Sequence, residues 1–467
     1  MNKSRLFQKY ILFDMLASLF VWVVFVIFRK SVNDISIFEG SHILIPYYDY
    51  FTSLILFPFC CVFIHYLSGF YLNPIKKSRI NLILNTFSSS AIISLSVFFV
   101  LKLSDVTVSY EYFYFSLLVL FVLLFGFTFF FRNLIFSQVL YNFKSKRWTI
   151  NTLIVGSGNN AKKISEDIEI HAQKNTLVGF VSTNKKISVP SERILGNITQ
   201  IASIIEKFDI QETIVVLDDD TDEKQLFKII NLLFKFNIDI QFTPRLYEIL
   251  IGSAKISQMG IIPLVSITNP SMSDWEVCLK RFFDIIISLI SLFLLSPFLF
   301  YFMIKIKRDS KGPVFYRQER IGRYGRPFKI LKFRTMCLGS ENGTPKLSSA
   351  DDDRITSIGL ILRKYRIDEI PQFWNILKGE MSLVGPRPER HYYINRIIEE
   401  APYYCLLYKI RPGLTSWGPI KIGYSDTIEK MIERLNYDII YMENMSLLTD
   451  LKILLYTIEI IFKGKGV

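Results

Sequence analysis

Two acidic side chains stand side by side at Asp368-Glu369 and are followed by Ile370-Pro371-Gln372. About twenty residues further on comes the turn Gly385-Pro386-Arg387-Pro388-Glu389. Proline on either side of Arg387 restricts the backbone, so the guanidinium is presented at low entropic cost. Such a set can work on phosphorus: one carboxylate attacks, and its neighbour holds Mg²⁺ through oxygen. Nearby arginines neutralise phosphate oxygens as charge moves. The same residues also fit a helix start, with Asp at the N-cap and an acid and a proline in the first turn. Taken alone they leave both readings open. Upstream, Arg317-Gln318-Glu319-Arg320 and Lys332-Phe333-Arg334-Thr335-Met336 interleave fixed cations with apolar and aromatic residues. That pattern suits a phosphate or a nucleotide, or a solvated strand pair resting on lipid headgroups. Between these segments and the carboxylates lie Asp353-Arg354-Ile355-Thr356 and a helical stretch with Arg363, Lys364 and Arg366.

Ahead of this region is an apolar run, Phe282–Met303, with Lys280 and Arg281 before it and Ser296-Pro297 inside it. Residues 304–334 carry eleven Lys/Arg against two acids. Both flanks are positive, and the positive-inside bias disfavours moving either one across a membrane. Proline removes an amide donor and clashes with the preceding turn. The run therefore reads as a re-entrant helix that breaks at Ser296-Pro297 and keeps both flanks on one side. A spanning helix with an ordinary proline kink shows the same periodicity.

The chain as a whole is rich in apolar residues: 467 residues, 50% hydrophobic, 41 of them Phe, with a net charge of +13. This composition excludes a disordered tail, a collagen-like fibre and a small secreted scaffold. Cys60, Cys61, Cys278, Cys337 and Cys405 have no paired metal spacing and are expected as free thiols. The four histidines, His42, His65, His171 and His391, are too dispersed for a zinc site. Four apolar runs, Leu12–Phe28, Phe51–Tyr71, Leu82–Leu101 and Phe113–Phe131, are each long enough to span a hydrocarbon core of about 30 Å. The first follows Lys3, Arg5 and Lys9 without a small-residue cleavage site, and so reads as a retained anchor. Cations cluster there, at Lys76, Lys77 and Arg79, and at Arg132, Lys144, Lys146 and Arg147. In the other two loops Asp34 and Glu39, or Asp105 and Glu111, offset the basic residues. Both ends of a four-helix unit over 1–148 are thus cytoplasmic.

From Thr149 the pattern changes. Strands at Thr152–Val155, Leu177–Val181, Thr213–Leu217 and Ile238–Phe242 alternate with helical stretches, which predicts an α/β domain over 149–270 built on a doubly wound parallel sheet. Gly156-x-Gly158-x-x-Ala161 after the first strand has the dinucleotide-turn pattern. The second strand ends at Ser182-Thr183-Asn184 with no acid for a ribose hydroxyl. The glycines either close a strand–helix turn or admit some nucleotide, a regulatory one included.

Within the remaining residues, 271–467, the run from about Arg281 to Thr457 resembles the bacterial sugar transferase family, the polyprenyl-phosphate phosphoglycosyl transferases. The resemblance rests on Lys280-Arg281-Phe282-Phe283-Asp284, Ser296-Pro297, Gly312-Pro313, Arg317 to Gly322, Lys332 to Met336, Asp368 to Gln372, Gly385 to Glu389 and Arg411-Pro412-Gly413-Leu414-Thr415, in that order. The four-helix unit and α/β domain ahead are similar to the large members. The resemblance implies an α/β catalytic domain anchored by a re-entrant helix at about 282–303, in a multi-pass protein of the bacterial inner membrane with its catalytic face in the cytoplasm. It also implies transfer of sugar-1-phosphate from a UDP-sugar to polyprenyl (undecaprenyl) phosphate with release of UMP. That step begins a capsule, exopolysaccharide or O-antigen repeat unit. By the same resemblance Asp368 is the nucleophile, Glu369 the Mg²⁺ ligand, and Arg387, Arg334 and Arg354 the phosphate-binding cations. Lys332, Gln372 and Arg320 stand in the matched motifs as further substrate-binding residues, and a homodimer is implied. Two departures, Ser416 inside Thr415-Ser416-Trp417 and Leu407 in place of an arginine, fall where sugar or nucleotide selection is expected. Every matched motif lies after residue 280, so the chemical step is expected to need only this last part of the chain. A rival, a membrane-bound NAD-dependent nucleotide-sugar dehydratase or epimerase, needs Tyr-x-x-x-Lys. The pair found for it is Tyr301–Lys305, on the lipid-facing run. A scaffold or nucleic-acid-binding role has only the net charge behind it. Much of that charge flanks apolar runs, and no nucleic-acid partner is expected.

Overall fold

The computed structural model of the chain describes residues 3–33, 47–75, 77–104, 110–172, 174–183, 187–216, 223–236, 238–243, 256–258, 263–267, 271–337, 339, 353–423 and 427–462. Asp34, Glu39, His42, Lys76, Asp105, Asn184 and Leu217 lie outside them. The chain divides into two compact units, residues 1–149 with 273–279 and residues 150–272 with 280–467.

The first unit contains α1 (Lys3–Asn33), α2 (Tyr47–Leu67), α3 (Arg79–Ser104) and α4 (Tyr110–Lys144). Within α1, α3 and α4, the segments Ser4–Arg29, Arg79–Leu101 and Phe113–Lys144 are long and apolar enough to cross a membrane; Thr52–Leu67 of α2 is a shorter apolar helix. Their inner faces meet through Val21, Phe25, Cys61, Ile93, Leu120 and Leu124. The outer faces are apolar as well, with Leu12, Phe20, Ile27, Leu56, Phe99 and Phe130 exposed, as expected of helices whose solvent is lipid. One charge pair is fully buried among them. Arg132 of α4 donates from Nη2 to Asp14 Oδ2 of α1 at 2.7 Å. Arg132 Nη1 donates to Thr86 Oγ1 of α3 at 2.9 Å, and the Tyr71 hydroxyl donates to Asp14 Oδ2 at 2.7 Å. Phe70 lies 3.6 Å from the guanidinium carbon. A charge in an apolar interior persists only when partnered in this way.

The second unit starts with β1 (Ile150–Val155), α5 (Asn159–His171), β2 (Asn175–Ser182), β3 (Ile194–Asn197), α6 (Ile201–Lys207), β4 (Glu212–Val215), α7 (Glu223–Phe234), β5 (Asp239–Phe242), β6 (Ile256–Gln258) and β7 (Pro263–Ser266). The strand order is β3-β2-β1-β4-β5-β7-β6. The first five strands are parallel, and β7 and β6 add antiparallel at the edge. The sheet is therefore mixed rather than wholly parallel. The connection from β6 to β7 is short, and a parallel pair would need a crossover of about a dozen residues or more. Successive residues of β1 face opposite sides: Ile154 packs with Ala161, Ile164 and Ile168 of α5, while Leu153 and Val155 join a core with Ile201 and Ile204 of α6 and Ile229 and Leu233 of α7.

The chain continues with α8 (Asp274–Asp309), β8 (Phe315–Ile321), β9 (Pro327–Phe333), α9 (Ser357–Lys364), a 3₁₀ segment Ile367–Gln372, α10 (Phe373–Lys378), β10 (Ser382–Val384), α11 (His391–Glu400), a 3₁₀ segment Pro402–Lys409, β11 (Gly413–Thr415), α12 (Trp417–Ile422), α13 (Ile428–Glu443) and α14 (Leu447–Phe462). Helix α8 runs through Pro297 without a break in its helical residues. Proline lacks the N–H that would reach the carbonyl of Phe293, and the Ser296 hydroxyl donates to that same oxygen at 2.7 Å. The Ser-Pro pair thus repairs locally what the proline removes. The basic residues at the head of the apolar run are used by the protein. Lys280 Nζ donates to Val384 O at 2.9 Å and pairs with Asp450 at 2.5 Å. Arg281 donates to the carbonyls of Ile376 and Leu377, at 2.7 and 2.9 Å. Asp284 accepts the Leu383 N–H at 2.9 Å.

The motifs matched in the sequence lie after residue 280, but the packing around them does not end there. Tyr404, Cys405, Leu407 and Tyr408 share one core with Leu226, Ile229, Ile230 and Leu233 of α7. A chain of residues 272–467 would expose these side chains, at about 1.5–3 kcal/mol for each large one. It is expected to aggregate in detergent or to melt well below a chain of residues 150–467. Equal thermal midpoints for the two, read by tryptophan fluorescence, would show that the shared core contributes little.

Candidate active site

Strand β9 and the 3₁₀ segment Ile367–Gln372 carry the central groups. Strands β8 and β9 form an antiparallel hairpin in register from Phe315↔Phe333 to Ile321↔Pro327. Asn375 of α10 accepts the Leu331 N–H at 3.0 Å and donates to Lys329 O at 2.9 Å, as a neighbouring strand would. Arg366 precedes the 3₁₀ segment in the left-handed region, at φ 54° and ψ 25°, and no side chain caps it. Asp368 is therefore not the cap residue. Both acids fall in the first turn, swung towards the hairpin by a conformation that is costly for a side-chain-bearing residue.

Lys332 Nζ lies 2.7 Å from Glu369 Oε1. Arg387 Nη2 is 3.6 Å from the same oxygen, and Arg366 Nη1 is 3.8 Å from Oε2. Both carboxylates are almost out of water, Asp368 being 8% exposed and the Glu369 side chain 12%. Burial works to raise the pKa of Glu369, but Lys332, Arg387 and Arg366 outweigh it and hold the carboxyl well below its usual range. For Asp368 burial dominates: with the charge of Glu369 beside it, and despite Lys332, Arg363 and Arg387, its pKa is pushed up to about 6. Two adjacent acids are thus driven apart by their surroundings, the arrangement that lets one stay a fixed anion while the other titrates.

Of the residues singled out in the sequence, Asp368, Glu369, Lys332 and Arg387 come together. Gln372 lies one turn on; it is buried, and its Nε2 has no partner among the described residues. Arg334 is used elsewhere: its guanidinium donates to Lys311 O at 3.1 Å and to Ser310 O and Oγ at 2.7 and 2.9 Å, tying the end of α8 to β9. Arg320 binds Glu389 at 3.3 Å, the Pro388 carbonyl at 3.0 Å and Gln318 Oε1 at 2.7 Å rather than the acidic pair. Arg354 lies at the bridge Met336↔Ile355, its carbonyl accepting the Cys337 N–H at 3.0 Å. Two further cations, Arg363 and Arg366, were named in the sequence only as part of a helical stretch and given no role. The second could have been read from its position three residues before Glu369.

The Gly385 and Gly413 backbones touch: a Cβ on Gly413 would come 2.1 Å from Gly385 N. Pairing of β10 with β11 requires that contact, and it sets the start of the turn that bears Arg387. In the α/β part, Gly156 has φ +143°, and a Cβ there would meet Val216 O at 2.5 Å; Gly158 is the N-cap of α5. Tyr301 and Lys305 stand one turn apart on α8, the Lys305 Nζ 5.7 Å from the Tyr301 ring.

Residues 275–464 match the description of the bacterial sugar transferase family, and residues 66–244 that of a CoA-binding domain. The chain is 36% identical over 230 residues to a UDP-N-acetylgalactosamine-undecaprenyl-phosphate N-acetylgalactosaminephosphotransferase of Aeromonas hydrophila, covering 49% of this chain and 54% of the relative. It is 34% identical over 245 residues to a UDP-glucose:undecaprenyl-phosphate glucose-1-phosphate transferase of Klebsiella pneumoniae, covering 52% of each. The chain spans about half the length of these two relatives. A UDP-glucose:undecaprenyl-phosphate glucose-1-phosphate transferase of Caulobacter vibrioides is 40% identical over 181 residues, which is 38% of this chain and 68% of the relative. A buried acidic pair ringed by cations, motifs in this order and likeness over two thirds of a relative make the chain a member of the bacterial sugar transferase family.

Proposed function

We propose that this protein transfers sugar-1-phosphate from a UDP-sugar to undecaprenyl phosphate and releases UMP. The observation that carries the reading is the split pair: Glu369 fixed as an anion by Lys332 and Arg387, beside Asp368, whose pKa of about 6 leaves it ionised at neutral pH and still basic enough to attack. An Asp368 oxygen attacks the sugar-bearing phosphorus of the donor. The bond from that phosphorus to the UMP oxygen breaks, and a phosphosugar ester of Asp368 forms. An oxygen of the lipid phosphate then attacks the same phosphorus, the aspartyl bond breaks, and the sugar–diphosphate–lipid leaves. Arg387 and Lys332 neutralise the phosphate oxygens during both steps. The buried amide of Gln372 offers a donor to the same substrate.

The two carboxylates supply hard oxygen donors that fit Mg²⁺, which takes one or two carboxylates together with substrate phosphates. Glu369 would hold it, with the donor diphosphate. When bound, the ion supplies charge neutralisation on the diphosphate. The donor class is a UDP-hexose or UDP-N-acetylhexosamine, as named for the relatives. The product would start a capsule, exopolysaccharide or O-antigen repeat unit. The turn at Gly156 and Gly158 keeps two readings, closure of the strand–helix turn, which the close approach of Gly156 to Val216 O supports, or a place for a nucleotide.

Depth supports the lipid acceptor. Ile367, next to Asp368, packs against the cluster of Ile306, Phe333 and Leu362, and Leu299, Phe302 and Met303 of α8 pack against the same cluster. On the same helix Phe293, Leu294 and Phe298 are exposed apolar residues. This fits a site at the headgroup layer, with both basic flanks of α8 and the catalytic part on the cytoplasmic face of the bacterial inner membrane; since α8 is continuous through Ser296-Pro297, re-entry would come from a bend there and not from the break expected of the sequence.

Purified protein is expected to turn over a UDP-sugar to UMP continuously only when undecaprenyl phosphate and Mg²⁺ are both present; with Mg²⁺ alone, UMP release should stop at about one per protein, the amount that forms the Asp368 ester. Asp368→Asn should lower the rate at least about 10³-fold with a near-unchanged thermal midpoint, since one oxygen becomes an amide. Normal turnover in that variant would remove the nucleophile assignment. The pH profile follows from the raised pKa of Asp368, whose ionised form is the attacking one. Below about pH 6 the value of kcat/KM should fall about tenfold per unit, and above about pH 7 it should level. Mg²⁺ on Glu369 would lower the pKa of its neighbour, so the limb should move to higher pH as Mg²⁺ is made limiting; a limb that ignores Mg²⁺ would mean that Asp368 is not the titrating group. For topology, Lys311→Cys and Arg147→Cys in a cysteine-free background should both resist an impermeant maleimide in cells and react in inside-out vesicles. Reaction of position 311 in intact cells would mean that α8 spans.

A further inference from the structure

The turn that carries Arg387 belongs to no helix or strand, yet its backbone groups are held one after another. The Gly385 N–H donates to Thr415 O at 3.0 Å, and Pro386 O accepts the Gly413 N–H at 2.9 Å. The Arg387 N–H donates to Asp438 Oδ2 at 3.4 Å. Pro388 O accepts from Arg320 Nη1 at 3.0 Å, and Glu389 O accepts the Ile321 N–H at 3.0 Å. The side chain of Glu389, 5% exposed, closes the turn. Its Oε1 accepts from Arg434 Nη2, and its Oε2 accepts from Arg320 Nη1 at 3.3 Å. Arg434 and Asp438 stand at i and i+4 on one face of α13, and both are buried. Arg320 is steadied in turn by Gln318 Oε1, at 3.0 Å from Nε and 2.7 Å from Nη2. Two cations, Arg320 and Arg434, therefore meet two acids, Glu389 and Asp438, in a nearly dry cluster. The Arg387 guanidinium, two residues from Glu389, points the other way, to Glu369 at 3.6 Å.

We infer that Glu389, clamped between Arg320 of the β8–β9 hairpin and Arg434 of α13, is a positioning residue that sets the Arg387 guanidinium against the reacting phosphate. This rests on the role given to Arg387 under Proposed function. None of the three clamp residues is bonded to Asp368 or Glu369; they act through the backbone of the turn. One anion holds two elements to the turn at once, and its buried charge is matched on both sides. Losing the charge on Glu389 leaves two arginines facing each other in a poorly solvated space, and the turn should shift to relieve them. A displacement of about 1 Å is enough to lower turnover by about 10²-fold in a preorganised site.

The test is a double-mutant cycle on UMP release, with saturating UDP-sugar and undecaprenyl phosphate in detergent. Arg387→Ala should lower kcat by about 10²–10³-fold. Glu389→Gln, close to isosteric, should lower kcat by about 10-fold or more with little change in the KM for the donor. Arg434→Lys keeps the charge and loses the fork, and so serves as a milder second probe. The decisive quantity is the double variant. If Glu389 works through Arg387, Arg387→Ala with Glu389→Gln is no slower than Arg387→Ala alone, within about 2-fold. If the two losses multiply, the effect of Glu389 is merely structural and the inference is overturned, while the role of Arg387 stands. If Arg387→Ala itself turns over normally, the role of Arg387 fails and the positioning role with it. Should Glu389→Gln not fold, the same cycle run with Arg434→Lys gives the same three outcomes.

Discussion

The ion pair between Lys332 and Glu369 is the contact on which the rest of the site depends. Glu369 is a carboxylate in a nearly dry place, next in sequence to a second carboxylate. Without a cation against it, the two acids would share a proton, and neither would be reliably charged at neutral pH. Lys332 at 2.7 Å, with Arg387 and Arg366 behind it, removes that competition. The pair crosses from the hairpin to the 3₁₀ segment. Whatever holds β9 flat and the 3₁₀ segment in place therefore also sets the electrostatics. Asn375 does the first by mimicking a strand along β9. Arg366, in its left-handed conformation, does the second.

The 3₁₀ segment is in turn anchored to α8. Ile367 shares a small apolar cluster with Ile306, Phe333 and Leu362, and Leu299, Phe302 and Met303 pack against it. These last three belong to the end of the apolar run, so the acidic pair and the most lipid-like helix of the unit are neighbours. The head of the same helix is fixed by charge instead: Lys280 to Asp450 and Val384, Arg281 to two carbonyls that end α10, Asp284 to the Leu383 amide. These two cations therefore serve packing as much as membrane topology, and the basic residues beyond Met303 carry more of the topological argument.

Much of the fold could be read from the sequence because the signals were local. Apolar runs at Leu12–Phe28 and Phe113–Phe131 lie inside α1 and α4, and the strand at Thr152–Val155 falls within β1. The acidic pair and the Pro-Arg-Pro turn were legible for the same reason, since neighbouring residue types suggest the chemistry. Partners set by topology were not legible. Lys332 lies 37 residues from Glu369, and Glu389 lies 45 from Arg434; nothing in the spacing selects those cations from the many others in the same region. Arg334 and Arg320 show the converse. Each sits in a phosphate-like pattern, and each is taken up by protein groups, the carbonyls of Ser310 and Lys311 for one and Glu389 for the other. The antiparallel edge of β7 and β6 was missed because three- and four-residue strands leave too little alternation to detect.

Burial explains why one site can hold both an inert acid and a reactive one. Two unit charges about 4 Å apart interact by about 1 kcal/mol in water and about 4 kcal/mol at an effective dielectric of 20. Taking the pair out of water therefore strengthens the hold of Lys332 and Arg387 on Glu369. The same loss of water disfavours charge on Asp368; it outweighs Lys332, Arg363 and Arg387, and its pKa rises to about 6. More exposure would relax both effects and leave two ordinary carboxylates. Deeper burial without more cations would protonate Asp368 at neutral pH and remove its attacking charge. The number of cations around the pair and the depth of the pair are thus one constraint, and Arg387 enters it twice, first as a charge holding Glu369 and then, in the function proposed, as a charge offered to phosphate.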